Sequence, residues 1–165
     1  MTTGRIEVGP SGRTVAANVK RLRETRGLTL RALSVALKDQ GRSLSADALN
    51  KIENGASDEP RAIRRVDVDD LVALAVVLGV SPVTLLLPSD ARGETEVTGA
   101  GRVRSHDAWM WAWCNDPLVL PEGGEEADRA GTEFLLNSRP IGLFSAQGDD
   151  RLMPFAPRRP RGSGG

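Results

Sequence analysis

His106 and Cys114 are the only histidine and the only cysteine in 165 residues, so nucleophilic or metal chemistry has to start from them. A spacing of eight does not place them well on one face of a helix. One Cys with one His is too few for a Cys/His zinc cage, and a lone Cys excludes an internal disulfide. Acidic residues are plentiful, but no pair of them lies in a context that suggests acid–base work. Residues 98–101, TGAG, are a turn signal and not a phosphate loop, because no Lys-Ser/Thr follows. Without an activated nucleophile or a metal set, the expectation is a protein that is not an enzyme and carries no cofactor. What remains is recognition by charge, hydrogen bonds and apolar contact.

The charge is unevenly placed. The chain holds 22 Lys+Arg and 22 Asp+Glu, yet residues 1–65 carry 13 basic against 7 acidic side chains. Residues 67–150 carry 5 against 15. A basic front half suits an anionic partner or, equally, a solvated helix surface. No apolar run approaches the roughly 18 residues needed to cross a bilayer. The N-terminal MTTGRIEVGPSG lacks the apolar stretch of a secretory signal, which leads us to expect a cytoplasmic protein with no membrane partner.

The periodic part of the sequence predicts short helices over about 14–26, 30–38, 46–53, 68–78 and 82–87. Thr29, Ser45, Asp67 and Ser81 stand where an N-cap oxygen accepts from free backbone N–H groups of the first turn. Each is preceded by an apolar residue that can staple to another five positions on, as in Leu44 with Leu49. Gly27, Gly55 and Gly79 are read as helix stops that supply positive φ. Helices this short cannot stand alone, so their apolar stripes predict one compact all-α domain over residues 13–88. Residues 1–12 and the basic 156–165 read as disordered tails.

Helices 2 and 3, joined by a polar connector, have the layout of a helix-turn-helix. In that arrangement the second helix enters the major groove N-terminus first. The segments VKRLRETRGLTLRALSVAL, LSADALNKIENG and VDVDDLVALAVVLGVSPVTLLLP, within residues 15–87, resemble the XRE-type (Cro/phage-repressor-like) DNA-binding family. The resemblance implies a five-helix, lambda-repressor-like bundle, double-stranded DNA as partner, binding as a homodimer, and localisation to the nucleoid when DNA-bound. It places Ala46, Asp47, Asn50 and Lys51 as base readers. By their chemistry, Asn50 can pair with adenine, Lys51 with guanine or a phosphate, and Ala46 with a thymine methyl. Asp47 can accept from cytosine, or merely favour the helix dipole. Arg21, Thr29, Arg31, Arg42, Ser43 and Ser45 are expected on the DNA backbone, and Arg61, Arg64 and Arg65 beside it. Glu53 is expected to brace the domain against Arg21 or Arg23. The chain departs from the family in one place: its connector, containing KDQGRSL, is roughly five residues longer than usual.

Residues 89–155 are expected to form a small, loosely structured α+β extension that serves dimerisation or partner contacts. A strand and turn are expected at 96–103 and a Trp-rich helix at SHDAWMWAWC, capped by Ser105. Trp109, Trp111 and Trp113 would form a local core or a protein-partner surface. EGGEEAD is expected as an exposed loop, and TEFLLN with IGLF as two strands. The function this implies is a sequence-specific transcriptional regulator with helix 3 in the major groove. The alternative is a protein-interaction adaptor that keeps the bundle without reading DNA.

Overall fold

Cap chemistry sets the helix starts in the computed structural model, which describes residues 7–59 and 61–140. The helices are α1 (Pro10–Thr25), α2 (Leu30–Asp39), α3 (Ala46–Glu53), α4 (Val68–Val77) and α5 (Pro82–Leu86), with a 3-10 turn at Asn54–Ala56. Thr29 Oγ1 accepts from the Ala32 amide at 3.1 Å, and Ser45 Oγ accepts from the Ala48 amide at 3.1 Å. Asp67 Oδ1 accepts from the Asp70 amide at 2.7 Å, and Ser81 Oγ from the Val83 amide at 3.4 Å. All four caps satisfy N–H groups that a helix leaves unpaired.

The ends of α1, α2 and α4 share one backbone pattern. After α2, the Arg42 amide donates to Leu37 O at 2.9 Å and the Gly41 amide to Lys38 O at 3.0 Å. This is the paired closure that needs a left-handed residue, and Gly41 has φ +82°. A Cβ at Gly41 would meet nothing within 4 Å, so only the backbone resists a side chain there. Gly41→Ala is therefore expected to cost about 1–2 kcal/mol, and Gly41→Asn less, in urea unfolding.

Two expectations at helix ends need correction. α1 starts at Pro10, inside the stretch read as a tail, because Pro10 takes a first-turn position where its missing N–H costs nothing. Gly55 lies in the 3-10 turn and does not have positive φ. It is buried, and a Cβ there would sit 3.5 Å from Ala16 Cβ and 3.6 Å from a Val8 methyl. Both are ordinary packing distances, so neither a left-handed turn nor a steric clash demands glycine at that position.

The chain divides into two compact units, at Trp109/Met110. In the first, Val15, Val19, Leu33, Leu37, Leu49, Ile52, Leu74, Leu78 and Leu85 form a closed apolar core. Buried Asn18 ties α1 to the end of α5, donating from Nδ2 to Leu85 O at 3.1 Å and Leu87 O at 2.8 Å. An antiparallel hairpin, β1 (Glu94–Val97) and β2 (Gly101–Arg104), follows in the register Glu94–Arg104 to Val97–Gly101. Its turn is held against α1 by Ser11 and Thr98, each hydroxyl accepting from the other's amide, at 3.1 and 3.2 Å.

α6 (Ser105–Ala112) forms where the Trp-rich helix is expected, with Ser105 as its first residue. Trp109 Nε1 donates to Pro88 O at 3.0 Å, while Trp111 and Trp113 are exposed. In the second unit, residues 124–138 form one helix, α7 (Gly124–Ser138). This overturns both the acidic loop and the TEFLLN strand. Glu125 and Glu126 favour the helix N-terminus, and Arg139-Pro140 disfavours continuation beyond Ser138. IGLF, the 156–165 tail and residues 1–6 lie outside the described residues. Among the described residues, no helix is long and apolar enough to cross a membrane.

Candidate nucleic-acid interface

α3 has eight residues, and its two faces are chemically distinct. Leu49 and Ile52 are fully buried against the core, and Glu53 is buried at the helix end. Asp47 and Asn50 are exposed, and Ala46 and Lys51 are half-buried at the margins of the same outer face. Lys51 Nζ sits 2.7 Å from Asp47 Oδ2, one helical turn away. That pair neutralises Asp47, which would otherwise repel a phosphate. The Asn50 side chain makes no hydrogen bond among the described residues, so its amide presents two donors and an acceptor to solvent.

Around α3 the structure places the expected backbone residues unequally. Ser45 and Thr29 spend their hydroxyl lone pairs on capping, which leaves each hydroxyl hydrogen to donate outward. Arg31 and Ser43 are exposed, and Arg31 forms no ion pair among the described residues. Arg21 is exposed and donates from Nε and Nη2 to Asn18 Oδ1 at 3.3 and 3.1 Å. It therefore sits on the buried Asn18 bridge with most of its guanidinium still outward.

Arg42 has a different environment from the one expected. Its Nε donates to Asp70 Oδ1 at 2.8 Å and its Nη2 to Asp67 Oδ2 at 2.8 Å, with Asp69 Oδ2 3.8 Å from Nη1. The guanidinium is turned towards the start of α4 and surrounded by carboxylates, which hold its proton more tightly, led by the hydrogen bond to Asp70. Asp67 is shifted the other way. Its carboxyl lies below the usual range, first because it accepts from the Asp70 amide and then through the charges of Arg42 and Arg64. The extra connector residues thus carry an arginine for internal use. Of the arginines after α3, Arg64 binds Asp70, Arg61 binds Glu59 and Arg65 Nε donates to Glu7 O.

Glu53 meets Arg23, one of the two partners expected for it. Arg23 Nε donates to Oε1 at 2.6 Å and Nη2 to Oε2 at 2.8 Å, a two-pronged pair between α1 and the end of α3. Arg23 Nη1 also donates to Leu28 O at 2.9 Å. The hydrogen bond to Glu53 raises the Arg23 pKa against the opposing effect of burial.

The sequence alone does not single out Asp70 or Asn18, and it places Arg64 beside the DNA backbone where the structure pairs it with Asp70. Asp70 had a readable signal, since it precedes Leu74 by four in the stripe that faces the core. A carboxylate at a buried helical position calls for cationic partners. His106 is exposed beside Asp107, and Cys114 occupies the left-handed position that ends α6.

No curated protein and no solved structure matches this chain. The model of a helix-turn-helix domain family matches residues 14–87, the segment that holds α2, its capped connector and α3. This agrees with the two-faced α3 and the capped α2–α3 pair. Residues 14–87 of the chain are thus similar to a helix-turn-helix domain, consistent with an XRE-type helix-turn-helix family.

Proposed function

We propose that this protein is a sequence-specific transcriptional regulator of the Cro/phage-repressor-like kind that lays α3 in the major groove. The observation that carries the reading is the outer face of α3. It is accessible, it begins at a capped N-terminus, and it presents an Asn50 amide with no partner among the described residues. A helix of this width fits the groove, and its N-terminal N–H groups favour approach to phosphates. Asn50, Ala46 and the Asp47–Lys51 pair are the proposed base readers. Arg21, Thr29, Arg31, Ser43 and Ser45 are the proposed backbone contacts; Arg42 leaves that set. α1 to α5 serve as the compact repressor-like bundle. Binding as a homodimer to half-sites about one helical turn apart follows from the same reading, with residues beyond 88 supplying subunit or partner contacts.

The experiment is selection from a random duplex pool with the purified full chain, followed by titration at several salt concentrations. A palindromic consensus and an affinity that falls with a log–log slope of roughly −0.9 per neutralised phosphate are expected. No enriched sequence and a flat salt response would instead favour a protein-interaction adaptor. Asn50→Ala is expected to weaken binding to the selected duplex by about 1–3 kcal/mol. Binding to random duplex should be nearly unchanged, and equal losses on both would remove Asn50 from the base readers.

A further inference from the structure

Asp70 is the most completely buried charged residue among those described, with no exposed surface at all. Its two oxygens point to different parts of the chain. Oδ1 accepts from Arg42, in the connector that leads into α3. Oδ2 accepts from Arg64 at 2.9 Å, in the segment that leads out of α3. That returning segment also lies along α3 itself. The Arg64 amide donates to Lys51 O at 3.0 Å, and Asn54 Nδ2 donates to Ala62 O at 3.1 Å. The first of these supplies a partner to a carbonyl near the helix end that the helix does not itself bond.

We infer that Asp70 is a positioning residue for the recognition helix: it clasps the chain on both sides of α3 to the start of α4 through Arg42 and Arg64. The inference rests on the DNA-reading role of α3 proposed above. An eight-residue helix has too few internal hydrogen bonds to be stable alone and depends on what its ends and inner face are tied to. Buried Leu44 and the Ser34 hydroxyl that donates to Leu44 O hold the last part of the longer connector, and Arg42 is the further tie ahead of them. A buried carboxylate cannot release a guanidinium without a large desolvation cost, so the two arms hold each other in place. Arg42 extends the clasp to Asp67, the cap of α4, at 2.8 Å. A dipole-favouring acid in the first turn of α4 needs no burial; Asp69, one residue earlier, is exposed and occupies the same first turn.

The test uses the full-length protein with Asp70→Asn, and Arg42→Met and Arg64→Met as milder cuts that each leave one arm intact. Amide hydrogen exchange reports the clasp without any DNA. The expected result in the Arg→Met variants is exchange about tenfold faster across residues 48–53, with α1 amides within about twofold of wild type. Uniform acceleration, or none, would overturn the inference and leave Asp70 as ordinary support. With duplexes, the expected loss is about tenfold or more on the selected sequence and about twofold or less on random DNA. Equal loss on both would likewise overturn it. Should the wild type bind no duplex, the DNA-reading proposal falls, while the exchange pattern still decides whether Asp70 positions α3.

Discussion

Glu53→Ala is expected to lower the unfolding free energy by about 3–5 kcal/mol, measured by urea titration, a large share of what a domain of this size has. The Arg23 and Glu53 side chains are only 12% and 7% exposed, and two short hydrogen bonds join them. Removing the carboxylate leaves a guanidinium largely out of water with Leu28 O and the edge of Glu24 as its remaining partners. A buried charge without its counter-charge is costlier than the loss of a pair. Glu53→Gln keeps the shape and one acceptor, so its loss should be smaller. The double variant Arg23→Met/Glu53→Leu removes both charges and should recover most of the loss, because the pair itself need not be net stabilising. A double variant no more stable than Glu53→Ala would show that α1 and α3 depend on the ion pair and not merely on avoiding an orphaned charge.

That pair marks what the sequence reveals and what it hides. Caps and stops are local, and Thr29, Ser45, Asp67 and Gly79 could be read because the partner of each lies within five residues. Stripes on α1 to α4 are also local, so the core residues followed. Arg42 and Asp70 are 28 positions apart, and no window of sequence links them. An arginine in a polar connector reads as available for phosphate until the fold brings a carboxylate to it. α7 failed for another reason. Thr132 and Phe134 have strand-like propensities, and none of α7's residues is buried, so no core-facing stripe marks the helix there. Glu125 and Glu126 are a helix-start signal, but beside Gly123 and Gly124 they read equally as loop acidity. The outer face of α3 was legible because exposure is the default for Asp and Asn on a helix whose Leu and Ile already define the inner side. The connection of its margins was not: the Asp47–Lys51 pair was implicit in an i,i+4 spacing, whereas the Arg64 amide on Lys51 O depends on a return path of 13 residues.

Leu49→Ala separates folding from reading most directly, because Leu49 and Asn50 are neighbours in sequence on opposite faces of α3. Leu49 is completely buried, and α3 packs on both α1 and α2. Truncation removes three carbons from a closed core and leaves a cavity the surrounding helices can only partly collapse, at a cost of about 2–5 kcal/mol in urea unfolding. Its effect on DNA binding should be confined to the folded fraction. Scaled for that fraction, affinity for the selected duplex should stay within about twofold, since no atom of Leu49 reaches the outer face. Asn50→Ala should show the reverse, with unfolding free energy changed by about 0.5 kcal/mol or less, as for other exposed positions, and discrimination lost. If Leu49→Ala instead abolishes discrimination in molecules that are still folded, α3 is not a rigid reading element seated on a separate core. The outer face would then depend on fine packing beneath it, and the clasp through Asp70 could not by itself set the helix orientation.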